Sequence, residues 1–177
     1  MTSIEDRRLP EALAEVGAVL SRVGGGGGID FEPFPEFLSG AQTTEWIRAW
    51  TGNATLSGDD FRVFGQDGSG GYAAFWLVRN GRPLDDQPVV FLGSEGETGV
   101  VARDLGDFLW LLAGGLGPLE AAEPYTAERV GVPNPDLTAT AERFAPDRHR
   151  LPAEIVLLAA EEFPHFTATI DGLCRFD

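Results

Sequence analysis

The stretch FRVFGQDGSGGYAAFWLV, residues 61–78, decides the fold. A run rich in aromatic and aliphatic residues leads into a glycine-rich segment, and a second such run follows, which is typical of two antiparallel strands joined by a turn. Two more runs of this kind follow, PVVFLG at 88–93 and TGVVA at 98–102. The middle of the chain therefore predicts a meander of three strands, over residues 61–64, 72–78 and 88–93, with a fourth strand nearby.

The glycine-rich segment inside this stretch also raises the question of a phosphate or metal site. A P-loop carries a lysine after its glycines and opens a helix, whereas this chain has no lysine and a strand follows. A calcium loop needs oxygen ligands at alternate positions and a glutamate at its end, where Val78 stands after a single carboxylate, Asp67. The pattern predicts a tight turn, with a positive φ at Gly68 or Gly70.

The first helix is predicted from Pro10, a favourable first-turn residue, up to the five consecutive glycines at 24–28. The glycines disfavour continuation of the helix and predict a mobile connector. The apolar positions recur at alternating spacings of four and three, which indicates one buried face: Leu9, Leu13, Val16, Leu20 and Val23.

Further helices are predicted on both sides of the strands. One ends at Gly52, begins at a cap supplied by Thr43 or Thr44, and carries its aromatic residues on one face. From residue 118 to 177, prolines divide the chain into short pieces, two of which begin with the proline-first pattern of a helix, at Pro135 and Pro152.

The segment RDLGDFLWLLAGG, which follows the strands, returns to helical spacing. Asp104 is positioned to cap the helix, Asp107 lies favourably in its first turn, and Gly114 is positioned to end it. The predicted buried face consists of Leu105, Phe108, Leu109 and Leu112.

Composition narrows the choice of partner and compartment. The formal net charge is −15, with 28 Asp and Glu against 13 Arg and no Lys, so a basic protein is expected as partner and nucleic acid is not. Cys174 is the only cysteine, which excludes an internal disulfide and suits the cytoplasm. The longest apolar stretch, residues 108–119, is broken by Gly and Pro, and the first ten residues are too charged for a signal peptide, so neither membrane insertion nor export is expected.

The sequence contains no recognisable set of catalytic residues. Ser94 stands between glycines after a strand, but Leu92 occupies the position where a nucleophile elbow requires Gly. The two histidines, His149 and His165, lie far along the chain and lack the spacing of a metal site. No catalytic residue, cofactor or metal is predicted. A small metal-assisted hydrolase that uses the loops of Asp67 and Glu95 is kept as an alternative.

Three segments, FRVFGQDGSGGYAAFWLV, PVVFLGSEGE and VARDLGDFLWLL, resemble the core pattern of the SUKH (SMI/KNR-type) superfamily. The resemblance implies one α+β domain over residues 1–177, with a mostly antiparallel sheet flanked by helices, and a role without catalysis. Bacterial members are typically immunity proteins that bind and neutralise toxins, often nucleases or deaminases. The glycine run and the proline-rich region at 118–177 depart from the family pattern.

Carried over to this chain, the family motif implies structural roles for six residues. They shape the turn or seat the helix on the sheet: Gly65, Asp67, Gly68, Gly70, Phe108 and Leu109. The resemblance and the acidic composition together predict a cytoplasmic bacterial immunity protein that binds a basic toxin domain. A regulatory interaction domain without a toxin partner is the remaining alternative.

The meander also predicts where such a partner binds, because alternate turns fall at the same end of a sheet. Asp67, Glu95 and Glu97 are expected at one end, which is built from the family motif. A second set of residues is expected at the other end, where the sequence departs from the motif, and is predicted to bind the partner: Asp59, Asp60, Leu84, Asp85 and Asp86.

Overall fold

A computed structural model describes residues 6–23, 28–123 and 130–176 of the chain. The α-helices of this part are α1 Glu11–Val23, α2 Gly40–Thr51, α3 Leu105–Ala113, α4 Pro118–Ala122, α5 Pro135–Phe144, α6 Pro152–Glu162 and α7 Phe166–Leu173. The strands are β1 Glu32–Pro33, β2 Phe61–Gln66, β3 Tyr72–Trp76, β4 Val89–Leu92 and β5 Thr98–Ala102. Two short 3₁₀ turns lie at Leu84–Asp86 and Pro146–Arg148.

The five strands form one antiparallel sheet in chain order, β1-β2-β3-β4-β5. The predicted meander and the α+β class are thereby confirmed, and the fourth predicted strand is β5. Strand β1 was not predicted, because it is two residues long and includes Pro33. Tertiary packing holds it in place: Phe31, just before it, makes edge-to-face contacts with Phe64 and Phe108.

Each face of the sheet buries its own apolar cluster, because side chains alternate along a strand. Phe75 and Phe91 point to the face covered by α1, α3 and α5. Ala74 and Val90 point to the opposite face, which is covered by α2 and α7. Helix α6 contributes to both clusters and packs along β5, so it shields the last strand of the sheet.

Helix α3 is the central helix of the larger cluster, and its predicted features are confirmed. The Asp104 carboxylate accepts the backbone N–H of Asp107 at 2.8 Å, and Gly114 is the C-cap. Phe108 and Leu109 are buried against the sheet, in agreement with the seating role that the family motif implies for them.

The start of α2 differs from the prediction. The cap is Ser39, whose hydroxyl accepts the N–H of Gln42 while the Gln42 side chain accepts the N–H of Ser39. This reciprocal capping box satisfies two otherwise orphaned backbone donors. Thr43, one of the two predicted caps, is instead buried inside the helix, where its hydroxyl donates to the Ser39 carbonyl.

Beyond residue 118 the two predicted helices are confirmed as α5 and α6, and the short helices α4 and α7 are additional. The predicted mobile connector at 24–28 lies outside the described residues except for Gly28. Within the described part of the chain, no helix has both the length and the apolar character needed to cross a membrane. The single-domain assignment over 1–177 stays a prediction.

Candidate functional site

The glycine-rich loop between β2 and β3 is a turn held by a buried carboxylate. Asp67 is 3% exposed and accepts the N–H groups of Ser69 and Gly71 as well as the Ser69 hydroxyl. Gly70 adopts φ +91°, so the predicted positive φ falls on Gly70. Asp30 holds the loop from outside by accepting the N–H of Gly68 at 2.8 Å. These bonds support the structural role implied for the loop.

Gly65 has a packing role in the same motif. A β-carbon added at Gly65 would lie 2.6 Å from the Phe31 ring, so only glycine lets β1 approach β2 this closely. An open cavity of about 880 Å³ lies beside the turn. Asp30 and Asp67 supply most of the carboxylates that line it, and both already accept hydrogen bonds from backbone N–H groups of the loop. This cavity therefore follows from the architecture of the loop.

The residues considered for catalysis lie apart. The Ser94 hydroxyl donates to the Ser69 hydroxyl at 3.1 Å, His149 stacks on Trp110 with ring centroids 4.3 Å apart, and His165 precedes α7. Among the described residues, no group of three or more His, Cys, Asp or Glu has the geometry of a metal site. The Glu97 carboxylate accepts the Glu95 N–H, so it closes its own turn.

The two ends of the sheet divide the loops as predicted. The Ser69–Ser94 bond joins the β2–β3 and β4–β5 turns at one end. At the other end the backbone carbonyl of Asp60 accepts the N–H of Leu77 just after β3, and the 3₁₀ turn at Leu84–Asp86 leads into β4. Asp59 and Asp60 are exposed at this second end. The predicted partner residues therefore do share one end of the sheet.

An open groove of about 600 Å³ lies at this second end, between α1, the start of α3 and the segment after α5. We call it the acidic groove. Its floor is apolar, with Leu105 and Leu109 from α3. Its rim is acidic, with one arginine among the following charged residues: Glu11, Asp85, Asp86, Asp104, Asp147 and Arg148.

The 3₁₀ turn fixes Asp85 and Asp86 at the rim. Leu84 is half-buried and packs against the larger apolar cluster, so it anchors the turn; its predicted role as an apolar contact for a partner stays a prediction. The Arg79 guanidinium donates to the carbonyl of Asp86 and to that of Arg103, which ties the turn to the start of α3. The rim is therefore rigidly placed.

Asp85 belongs to the exposed rim, yet its surroundings disfavour the charged form of its carboxylate. Partial burial, and second the adjacent charge of Asp86, raise its pKa. Among the described residues no cation pairs with Asp85 or Asp147, whereas Asp86 lies 3.8 Å from Arg82 and Glu11 pairs with Arg143 at 3.1 Å. Two carboxylates of the rim are thus uncompensated within the described structure.

A buried ionic network supports the groove from behind. Asp107 is fully buried, and its carboxylate accepts from Arg103 Nε at 2.8 Å and lies 3.4 Å from Arg148 and 3.6 Å from Arg150. Arg148 also pairs with Asp104. Burial, together with the nearby charges of Arg103 and Arg150, lowers the pKa of Arg148.

Sequence reasoning missed this network, because it assigned Asp107 only a favourable place in the first turn of the helix and did not include it in the buried face. The spacing of Arg103 and Asp107, four residues apart, and the pair of arginines in PDRHR were the available signals. Neither reveals that the two segments meet. The network neutralises Arg148, so the acidic groove keeps its negative character although an arginine lines it.

Comparison of the chain with models of known protein families, with curated proteins and with solved structures finds no match.

Proposed function

We propose that this protein is a cytoplasmic bacterial immunity protein of the SUKH type, which acts by binding a basic toxin domain and has no catalytic activity of its own. The observation that carries the proposal is the acidic groove. Its rim holds Asp85 and Asp147 without a cationic partner in the described structure, on a rigid frame of 3₁₀ turns. Such an arrangement suits a lysine or arginine side chain from another protein.

The electrostatics favour association with a cation. The raised pKa of Asp85 means that its negative charge is costly in the free protein. A bound guanidinium or ammonium would relieve that cost, so the charge contributes more to the complex than to the fold. The net charge of −15 and the exposed Asp59 and Asp60 nearby would also speed the approach of a basic partner.

The test is neutralisation of a toxin encoded beside the gene for this protein. The toxin domain is expressed in bacteria alone and together with this protein, and growth is measured. We expect full rescue by the wild-type chain and weaker rescue by the groove variant, Asp85→Asn/Asp147→Asn. The matched control is Glu95→Gln/Glu97→Gln, at the end of the sheet opposite the acidic groove, which we call the opposite-rim variant. It removes two negative charges, as the groove variant does, and should rescue growth fully.

Two outcomes would overturn the proposal. If the purified toxin domain and this protein form no complex, the chain is not its immunity protein. If rescue requires Ser94 or His149 while complex formation does not, the protein acts catalytically. A complex with a non-toxic neighbour, formed through the same groove, would favour a regulatory interaction domain.

A further inference from the structure

A second, apolar groove of about 510 Å³ lies next to the acidic groove. Its floor includes Trp110 of α3, and its walls include Pro133 and Pro152. Two large side chains at its margin are conspicuously open to solvent, Val130 at 95% and Leu151 at 71% exposure. We call this site the apolar groove. Exposed aliphatic side chains beside a concave apolar surface are typical of a binding face.

The two grooves share one wall. Residues 145–148 line the acidic groove, and residues 149–153 line the apolar groove, so a single chain segment separates them. We call residues 145–152 the ridge. From Asp147 to Leu151 is four residues, which span at most about 14 Å even when extended. One partner segment can therefore reach both grooves.

Hydrogen bonds, a ring contact and ion pairs hold the ridge in place. The Trp110 Nε1–H donates to the Ala145 carbonyl at 2.8 Å, and His149 stacks on the outer face of the same indole. Arg148 pairs with Asp104, and Arg150 lies 3.6 Å from both Asp107 and Glu154. A surface that is already ordered loses less entropy on binding.

From this arrangement we infer that the ridge divides one composite site, which takes a segment carrying a basic side chain and an aliphatic side chain a few residues apart. The basic side chain lies in the acidic groove against Asp85 and Asp147, and the aliphatic side chain lies in the apolar groove against Leu151 and Trp110. The inference rests on the proposed function, since it names the chemistry by which a basic partner is recognised. Charge complementarity selects the partner, and the shared wall sets the spacing of its two anchors.

The probes are three short labelled peptides, measured by fluorescence anisotropy. The first repeats Arg-Gly-Gly-Leu, the second repeats Arg-Gly-Gly-Ser, and the third repeats Gln-Gly-Gly-Leu. We expect the first to bind about tenfold more tightly than the second, which is the gain from partly burying a leucine side chain. The third should bind more weakly than either, because it lacks the charge.

Protein variants assign each half of the peptide to one groove. Leu151→Ser should remove the advantage of the first peptide over the second and leave the affinity for the second unchanged. This variant is expected to fold well, because residue 151 is the N-cap of α6 and serine is a favourable cap. Val130→Ser is a second variant with the same expected direction. The groove variant should weaken both arginine peptides.

The outcomes separate the inference from the proposed function. If both arginine peptides bind equally and both depend on Asp85 and Asp147, the composite site is wrong while the basic-partner proposal stands. If the arginine peptides bind independently of the groove variant, both are wrong. If sedimentation shows a dimer of this chain that Leu151→Ser dissociates, a second copy occupies the apolar groove and the inference is overturned.

Discussion

Replacing Asp107 by Asn tests the buried network that supports the acidic groove. The Asp107 carboxylate is fully buried and is the common partner of three guanidinium groups, those of Arg103, Arg148 and Arg150. Asparagine has nearly the same shape but carries no charge. The substitution therefore leaves three arginines close together without their shared counter-charge.

The magnitude follows from burial. Removing one member of a fully buried ion pair costs about 3–5 kcal/mol. Here the three arginine side chains are 20%, 36% and 29% exposed, so water can replace part of the lost interaction. We expect the free energy of unfolding to fall by about 2–3 kcal/mol, and the melting temperature to fall by about 5–10 °C.

Urea unfolding followed by tryptophan fluorescence measures this change. Asp104→Asn is the matched control, because Asn is an equally good helix cap and the Asp104 side chain keeps 19% exposure. It should cost clearly less than Asp107→Asn, because Arg148 keeps Asp107 as a counter-charge when Asp104 is neutralised. An Asp107→Asn loss no larger than that of the control would refute the view that the network depends on the buried charge.

The remaining predictions concern the turn, the groove and metals. Gly70→Ala should lower the free energy of unfolding by about 1 kcal/mol, because residue 70 adopts a positive φ. The control is Gly172→Ala, in a helix with open space around it, which should raise the free energy of unfolding by about 0.4–1 kcal/mol. Equal effects of the two substitutions in chemical denaturation would contradict the turn assignment. The pKa of Asp85 is raised in the folded protein, so its stability contribution is present below the unfolded pKa of about 3.9 and is lost as pH rises through the folded pKa. Asp85→Asn should therefore increase the free energy of unfolding at about pH 7 and leave it unchanged at about pH 3. A decrease in the free energy of unfolding at neutral pH would contradict this prediction. Calcium or magnesium should leave the melting temperature unchanged, since the Asp67 carboxylate already holds backbone donors; a clear rise would favour a metal site.

Local patterns were sufficient for much of the fold. The strands, the turn at Gly70, the cap at Asp104 and the helix start at Pro135 each depend on residues close together in sequence, and each agrees with the structure. The predicted start of α2 was wrong, because Thr43 and Thr44 stand directly before the aromatic face of the helix and are of a residue type that caps helices. The capping box of Ser39 and Gln42 lies one turn earlier.

The acidic groove and the ionic network behind it could be predicted only in part. Asp85 and Asp86 were placed correctly because the order of the meander fixes which loops share an end. The meeting of Asp107 with Arg148 and Arg150 depends on how α5 and the following segment pack on α3, and no local pattern encodes a contact over some forty residues of chain. The packing of Leu84 against the core could not be predicted for the same reason, since it is a tertiary contact.

The most direct test of the central claim is to measure, at low and at high salt, the association rate of this protein with the basic toxin domain that the proposed function predicts as its partner. We expect the groove variant to associate several-fold more slowly at low salt and to depend less on salt, because two steering charges are lost at the contact surface. The opposite-rim variant, with the same loss of charge, should keep the wild-type rate at both salt concentrations. A slower rate for the opposite-rim variant, with unchanged kinetics for the groove variant, would contradict the account and place the interface at the other end of the sheet.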